Sequence, residues 1–250
     1  IRASVGIVQP EPLQTPGKIY MLGNFLFINE PGEGVHVIDN ANPEEPKNIS
    51  FIKIPGNFDI AGMGNLLYAD SYMDLVILDI SNLNDVQVVH RNENIFQQII
   101  DSWTFDPENG VIIDWVEVQK IEVSEGEVQN MGFPTFFSMA GNRMAVLDVA
   151  MVPQMAAPQP QTGIGGSMAR FTISHNHLYT IDQNFLYTFD LSDPQNPPQF
   201  PRISVGWGIE TIFPYQDMLF IGAQNGMHIY SIQSPSNPVK LSMYQHVLSC

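Results

Sequence analysis

Lys18, Asp59, Arg170 and Glu210 (or its neighbour Thr211) are the residues of this chain whose types and spacing could do chemistry together. Counted back from the next aromatic-rich run, they fall at nearly equivalent positions of a motif that returns about every 40 residues. Charges of both signs at one repeat position can serve two ends. They can bind a polar ligand, with Phe58, Met168, Trp207 and Ile209 as the apolar walls of a pocket. They can equally form ion pairs that join one repeat to the next, and the residue types favour that reading.

Other chemistry-bearing residues weigh less. An acid closes one apolar run in each copy, at Asp39, Asp79, Asp190 and, in a weaker match, Asp148. A ring of calcium ligands is one reading. The other is an Asx turn, in which the carboxylate accepts backbone N–H bonds where the strand ends. Recurrence once per repeat favours the turn, and no D-x-[DN]-x-[DN]-G loop is present. His175 and His177 flank a tight turn, but a metal needs three or four ligands and no third is apparent. Gly163-Ile164-Gly165-Gly166 lacks the lysine and the βαβ setting of a phosphate loop. Gly165-Gly166-Ser167-Met168-Ala169 lacks the final glycine of a nucleophile elbow. The sequence therefore predicts no metal, no cofactor and no catalytic residue.

What must position these residues is a repeat. Residues 17–54, 56–90, 169–203 and 210–244 share one grammar. Phe27 to Tyr68 and Tyr179 to Phe220 are each 41 residues, and Asp39 to Asp79 is 40. Each copy has an apolar run, a turn pair (Gly-Asn, Asn-His or Gln-Asp), a second run such as Asn24–Ile28, a third run closing on an acid, a Pro-rich turn and a fourth run. Short runs rich in Val, Ile, Phe and Tyr, bounded by Gly, Asn, Asp and Pro, predict strands. Four strands in about 40 residues make one blade of a β-propeller. A lone blade cannot bury both faces, so blades must stack. In that arrangement the first strand of each blade lines the central channel, which is where Lys18, Asp59, Arg170 and Glu210 would point.

The run DLVILDIS at 74–81 resembles the LVIVD-repeat proteins, as do VHVIDNANP (35–43), LVILDISN (75–82), LYTFDLSDP (186–194) and MHIYSIQSP (227–235). GGSMARFTI (165–173) and GWGIETIFPY (206–215) are similar to hypothetical LVIVD-repeat proteins of Bacteroidetes. The resemblance covers about two thirds of the chain. It implies an all-β propeller and a bacterial cell-surface setting, and it implies no particular activity. The fourth copy departs from the pattern, with Ser231 in place of the acid.

The expected organisation is an N-terminal tether over 1–16 and a propeller over 17–250 of four-stranded antiparallel blades. Its blades are expected at about 17–55, 56–92, 167–205 and 206–245, with the start of another at 246–250. Between copies two and three a degenerate blade with insertions is expected over 93–166. Two alignments compete there, one placing Ala145–Val149 as the third strand and one placing Met144–Leu147 as the second. Residues 111–123 would form a hairpin arm carrying Trp115, Val116, Val118 and Ile121, and 151–166 a flexible loop. Because the sequence stops inside a repeat, the propeller is expected to be incomplete in this chain.

Composition narrows the partners. The net charge is −16, from 10 basic and 26 acidic side chains. That balance disfavours nucleic acid and anionic lipid, which would be repelled. No run of 18 apolar residues is present, so no transmembrane helix is expected. A lipid anchor upstream of Ile1 would be compatible with the tether. The single cysteine, Cys250, excludes a disulfide within the chain. The favoured function is that of a non-enzymatic, extracytoplasmic binding scaffold at the bacterial cell surface, exposed there or on the periplasm-facing outer membrane. Its ligand would be a protein or a carbohydrate held by Lys18, Asp59, Arg170, Glu210 and Trp207. A carbohydrate-active lyase or hydrolase using Asp59, Arg170 and Glu210 is the second reading. A structural subunit of a surface assembly, joined through the 111–123 arm, is the third.

Overall fold

The apolar runs of the repeats become strands, and the turn residues between them set their order. The structure is a computed structural model, and it describes residues 4–96, 105–106, 110–111 and 169–245. The first sheet holds β1 (Gly6–Val8), β2 (Ile19–Leu22), β3 (Phe25–Glu30), β4 (Gly34–Asp39) and β5 (Lys47–Lys53). The second holds β6 (Ile60–Met63), β7 (Leu66–Ser71), β8 (Asp74–Asp79) and β9 (Gln87–Asn92). A two-stranded hairpin of β10 (Phe105–Asp106) and β11 (Gly110–Val111) belongs to a separate unit, 103–166. The third sheet holds β12 (Phe171–Ser174), β13 (His177–Ile181), β14 (Phe185–Asp190) and β15 (Ile203–Ser204). The fourth holds β16 (Ile209–Tyr215), β17 (Met218–Ala223), β18 (Gly226–Ser231) and β19 (Val239–Tyr244). All pairings are antiparallel, and within each sheet the four repeat strands follow chain order.

The sheets are copies of one plan down to individual atoms. Asp39, Asp79 and Asp190 each accept a backbone N–H two residues on, from Ala41, Ser81 and Ser192, at 2.8–2.9 Å. Ser231 does the same through Oγ at 3.4 Å, so the fourth copy keeps the turn with a weaker acceptor. The recurring acid is thus an Asx turn. A β-bulge between the third and fourth strands falls at Val37/Ile38, Ile77/Leu78 and Ile229/Tyr230, which are equivalent positions. The fourth strand of the third sheet is cut to two residues because Pro197, Pro198 and Pro201 remove ladder donors. The first turn of the third sheet is His175-Asn176, both at positive φ, so His177 opens β13 and the turn pair lies one residue earlier than the Asn-His reading.

Alternate side chains of each strand face opposite neighbours, as a period of two requires. In the second sheet Ile60, Leu67, Ala69, Val76 and Leu78 pack against the first sheet, in a cluster with Phe27, Val35 and Val37. Ala61, Leu66, Tyr68, Leu75 and Ile77 pack against Phe171, Leu178, Tyr187 and Phe189 of the third. Tyr179, Ile181 and Leu186 then meet Ile212, Leu219 and Ile221 of the fourth. Each fully buried side chain of this size contributes roughly 1.5–3 kcal/mol. The inner strands lie side by side in the order β2, β6, β12, β16.

The stretch read as a tether supplies β1, which pairs with β5 through Gly6–Lys53, Ile7–Ile52 and Val8–Phe51 and widens the first sheet to five strands. Its apolar run of three is too short to stand out, but the outer edge of β5 offers it a ladder. β6 of the second sheet neighbours β12 of the third, and the two sheets share one apolar cluster. The degenerate blade expected over 93–166 falls almost wholly outside the described residues. Asp148, both alignments around 144–149, the arm beyond Val111, the loop at 151–166 and the start of a further blade at 246–250 lie outside the described residues. Among the described residues no helix is long and apolar enough to cross a membrane.

Candidate functional site

The residues that begin the inner strands do come together, and the pairing rules explain where. Lys18, Asp59 and Arg170 each immediately precede the first residue of β2, β6 and β12. At the fourth sheet the register shifts between Ile209 and Thr211, so Thr211 takes the equivalent place opposite Gly222. Glu210 is the extra residue of that bulge and is exposed. The bulge turns it away from the row it was expected to join.

Asp59 is the hub. It is 2 % exposed, and its Oδ1 lies 3.3 Å from Lys18 Nζ. Oδ1 also accepts the Ile60 N–H at 2.7 Å. Oδ2 accepts the backbone N–H groups of Phe171, at 2.8 Å, and Arg170. Lys18 Nζ donates as well to the Phe171 carbonyl at 2.5 Å. One carboxylate thus ties the first, second and third sheets. Burial pushes its pKa up, while Lys18 and the N–H donors pull it back. Burial likewise lowers the Lys18 pKa against the attraction of Asp59. Arg170 was expected to pair through its guanidinium, but its bond to Asp59 is made by the main chain.

A second buried acid, Asp70 on β7, continues the network. Its Oδ1 accepts from Phe58 N at 2.7 Å, Asp59 N at 3.0 Å and Asn57 Nδ2 at 2.8 Å. Asn57 in turn accepts from Asn29 Nδ2 of the first sheet. Burial raises the Asp70 pKa to about 7; the Asp59 and Phe58 N–H groups and Arg170 oppose the rise, and the Asp59 charge adds to it. Asn29, Asn57 and Asp70 were not singled out from the sequence. The available signal was a polar residue at the same repeat position, Asn29 and Asp70, directly after the apolar part of the second strands FLFINE and LLYADS.

The remaining expected site residues lie on the rim where the inner strands begin. Trp207 is 63 % exposed and Phe58 is 50 % exposed, each in the crossover that leads into an inner strand. Gly206 and Gly208 flank Trp207 at positive φ, a conformation that suits glycine and lifts the indole outward. Ile209 is buried and belongs to the core between the third and fourth sheets. Met168 lies outside the described residues. The arrangement is therefore a rigid buried network beneath a rim that bears two exposed aromatic side chains, half-buried Arg170 and exposed Glu210.

The two histidines reach separate partners. His175 Nε2 lies 3.0 Å from Asp217 Oδ1, and His177 Nε2 lies 2.9 Å from Ser236 Oγ. Both partners belong to the fourth repeat, so the imidazoles join two blades. Among the described residues no three His, Cys, Asp or Glu side chains gather as metal ligands.

Stacked four-stranded antiparallel sheets, with their inner strands side by side, define a β-propeller repeat protein. Residues 58–91, which span the second sheet and its entry, match the LVIVD repeat. No curated protein matches the chain. Among solved structures, the computationally designed Ika8 protein is similar at 7% identity and a TM-score of 0.46, over 92% of this chain and 48% of its own. The N-terminal domain of Nup159 is similar at 9% identity and a TM-score of 0.42, over 97% and 49%. KlHsv2 with loop 6CD replaced by a Gly-Ser linker is similar at 13% identity and a TM-score of 0.34, over 98% and 68%. The chain spans about half the length of the first two. All three scores are low, and the architecture stands on the sheets themselves.

Proposed function

We propose that this protein is a non-enzymatic binding scaffold that acts outside the cytoplasm, at the bacterial cell surface, and takes a carbohydrate or protein ligand on the rim formed by Phe58, Arg170, Trp207 and Glu210. The observation that carries the reading is the exposure of Phe58 and Trp207 on crossovers held by hydrogen bonds, the Phe58 N–H to Asp70 Oδ1 and the Val205 N–H to the Asn184 carbonyl. Exposed aromatic side chains on a rigid support offer flat apolar area at low entropic cost, and adjacent charges orient a polar partner. Asp59 and Asp70 are buried and hold backbone N–H groups, which suits a structural role better than proton transfer to a substrate. The surface location rests on the likeness of 58–91 to the LVIVD repeat.

The test is an array of cell-surface polysaccharides and peptides probed with the wild-type chain and with the Phe58→Ala/Trp207→Ala double variant. Binding that the double variant loses, with no new reducing ends or cleaved products, supports the reading. Product formation that tracks the protein through purification would replace it with the carbohydrate-active enzyme.

A further inference from the structure

The seam between the first and second sheets lacks the bonds that close the two seams after it. Tyr68 and Tyr179 each donate to the turn of the next sheet, at the Pro194 and Pro235 carbonyls, and His177 Nε2 meets Ser236 Oγ. Phe27 stands at the tyrosine position, so the Leu83 carbonyl, the counterpart of Pro194, receives no hydroxyl. Phe25 stands opposite Asp39 as His177 stands opposite Asp190, and it has no polar atom to offer Asn84, the counterpart of Ser236. Its equivalents Leu66 and His177 are each 8 % exposed, whereas Phe25 is half-buried. Two adjoining concavities of about 450 and 430 Å³ open there, and Phe25, Asp39 and Leu83 line both.

We propose that this cleft binds a small organic amine, with its ammonium at Asp39 and its apolar body between the two sheets. The site is separate from the rim: Lys18 precedes β2 at the rim, and Leu22 ends β2 at the cleft. The walls are apolar, with Ile7 and Val8 of β1, Ile49 of β5 and Ile80 after β8. The two volumes match the roughly 300–1,000 Å³ usual for small-molecule sites. An ammonium held beside the Phe25 ring also gains a cation–π attraction.

The unmatched polar groups of the cleft call for a donor. Asp39 Oδ1 takes the Ala41 N–H at 2.9 Å, which fixes the carboxylate. Among the described residues no cation pairs with it, Lys47 opposite on β5 included. The Leu83 carbonyl is a second acceptor. Ser50 lines the cleft and is 7 % exposed, and its buried Oγ has no hydrogen-bond partner. Few buried hydroxyls stay unpaired, and a ligand group that meets this one after a turn of χ1 would satisfy it. The net charge of −16 draws cations toward the chain and repels anions.

The experiment is calorimetric titration of the chain with phenethylamine and cyclohexylamine, beside the neutral phenethyl alcohol and cyclohexanol, with amide chemical shifts to locate the binding. Saturable amine binding is expected, with shifts at Ile7–Gln9, Asp39–Ala41 and Ser81–Asn84, and with the alcohols weaker by at least about tenfold. Asp39→Asn keeps an oxygen for the Ala41 N–H and should weaken the amines to the level of the alcohols. Asp190→Asn removes the same charge from the equivalent turn of the third sheet and should leave binding unchanged, which separates the site from the general pull of an acidic chain. Phe27→Tyr supplies the hydroxyl that Tyr68 and Tyr179 carry at the later seams, and it should close the cleft and abolish binding with circular dichroism unchanged. No amine binding at millimolar concentration, equal effects of Asp39→Asn and Asp190→Asn, shifts centred on the rim, or a Phe27→Tyr variant that binds like the wild type would each overturn the proposal.

Discussion

Lys18 Nζ and Asp59 Oδ1 stand 3.3 Å apart across the seam between the first and second sheets, with the aspartate buried and the lysine one fifth exposed. The other carboxylate oxygen takes main-chain N–H groups from the third sheet. Asp59→Ala should therefore leave an ammonium and several N–H donors without an acceptor, at a cost of about 3–5 kcal/mol. Arg170→Ala keeps its main-chain bond and should cost under about 1 kcal/mol. Urea denaturation of the two variants checks both; equal losses would place the guanidinium, not the main chain, in the seam.

Asp70 gives the fold a pH signature. Its carboxyl titrates near 7 when folded and 3.8 when unfolded, so the folded state binds the proton more tightly. This group's contribution is full below pH 3.8 and is lost as pH rises through 7. Asp70→Asn keeps an oxygen for the Phe58 and Asp59 N–H groups without the charge. Its stability should be flat across that window and exceed the wild type at pH 8 by on the order of a few kcal/mol. A wild-type curve without this slope would contradict the assignment.

Glu30 acts with the opposite sign. Burial would raise its pKa, but Thr15 through Oγ1 and N–H, Gln14 N–H and His36 bring it down to about 2. Its share of stability is present above pH 4.5 and is lost as pH falls through 2. Through Gln14 and Thr15 it anchors the strand that leads back to β1. Glu30→Gln should free that segment: amide exchange at Gly6–Val8 should quicken while exchange in β7 and β8 stays unchanged.

The tyrosine hydroxyls at the second and third sheets each bond a carbonyl on the next, Tyr68 to Pro194 at 3.0 Å and Tyr179 to Pro235 at 2.9 Å. Tyr→Phe at either place should cost about 0.5–1.5 kcal/mol. Phe27 already occupies the equivalent site, so both variants should fold. Equilibrium unfolding of Tyr68→Phe and Tyr179→Phe, singly and together, should show additive losses, because the two bonds lie at different seams.

The strands were legible because each obeys local rules: apolar alternation, an acid at the exit, a Pro-rich turn. Lys18 and Asp59 could be placed for the same reason, by counting along the repeat. What escaped depends on contacts distant in sequence. Gly6–Val8 becomes a strand only because β5 has a free edge. Asp70 reads as the tail of an apolar run until Asn57 and two N–H groups converge on it. Glu210 leaves the row because one bulge residue follows Ile209. The direct stacking of the second sheet on the third was hidden for a related reason, since it rests on apolar faces, Tyr68 and Ile77 against Phe171 and Tyr187, that lie far apart in sequence.

That direct stacking is the claim on which the arc, the network and the rim all depend. The Phe96 ring centroid lies 5.7 Å from that of Phe171. A short Gly-Ser linker in place of residues 97–168 should thus join the two halves without strain. The measurement is thermal unfolding of this shortened chain followed by near-UV circular dichroism. The account predicts one cooperative transition within a few degrees of the full chain's. Loss of the cooperative transition, or two separate ones, would show that the second and third sheets are not neighbours.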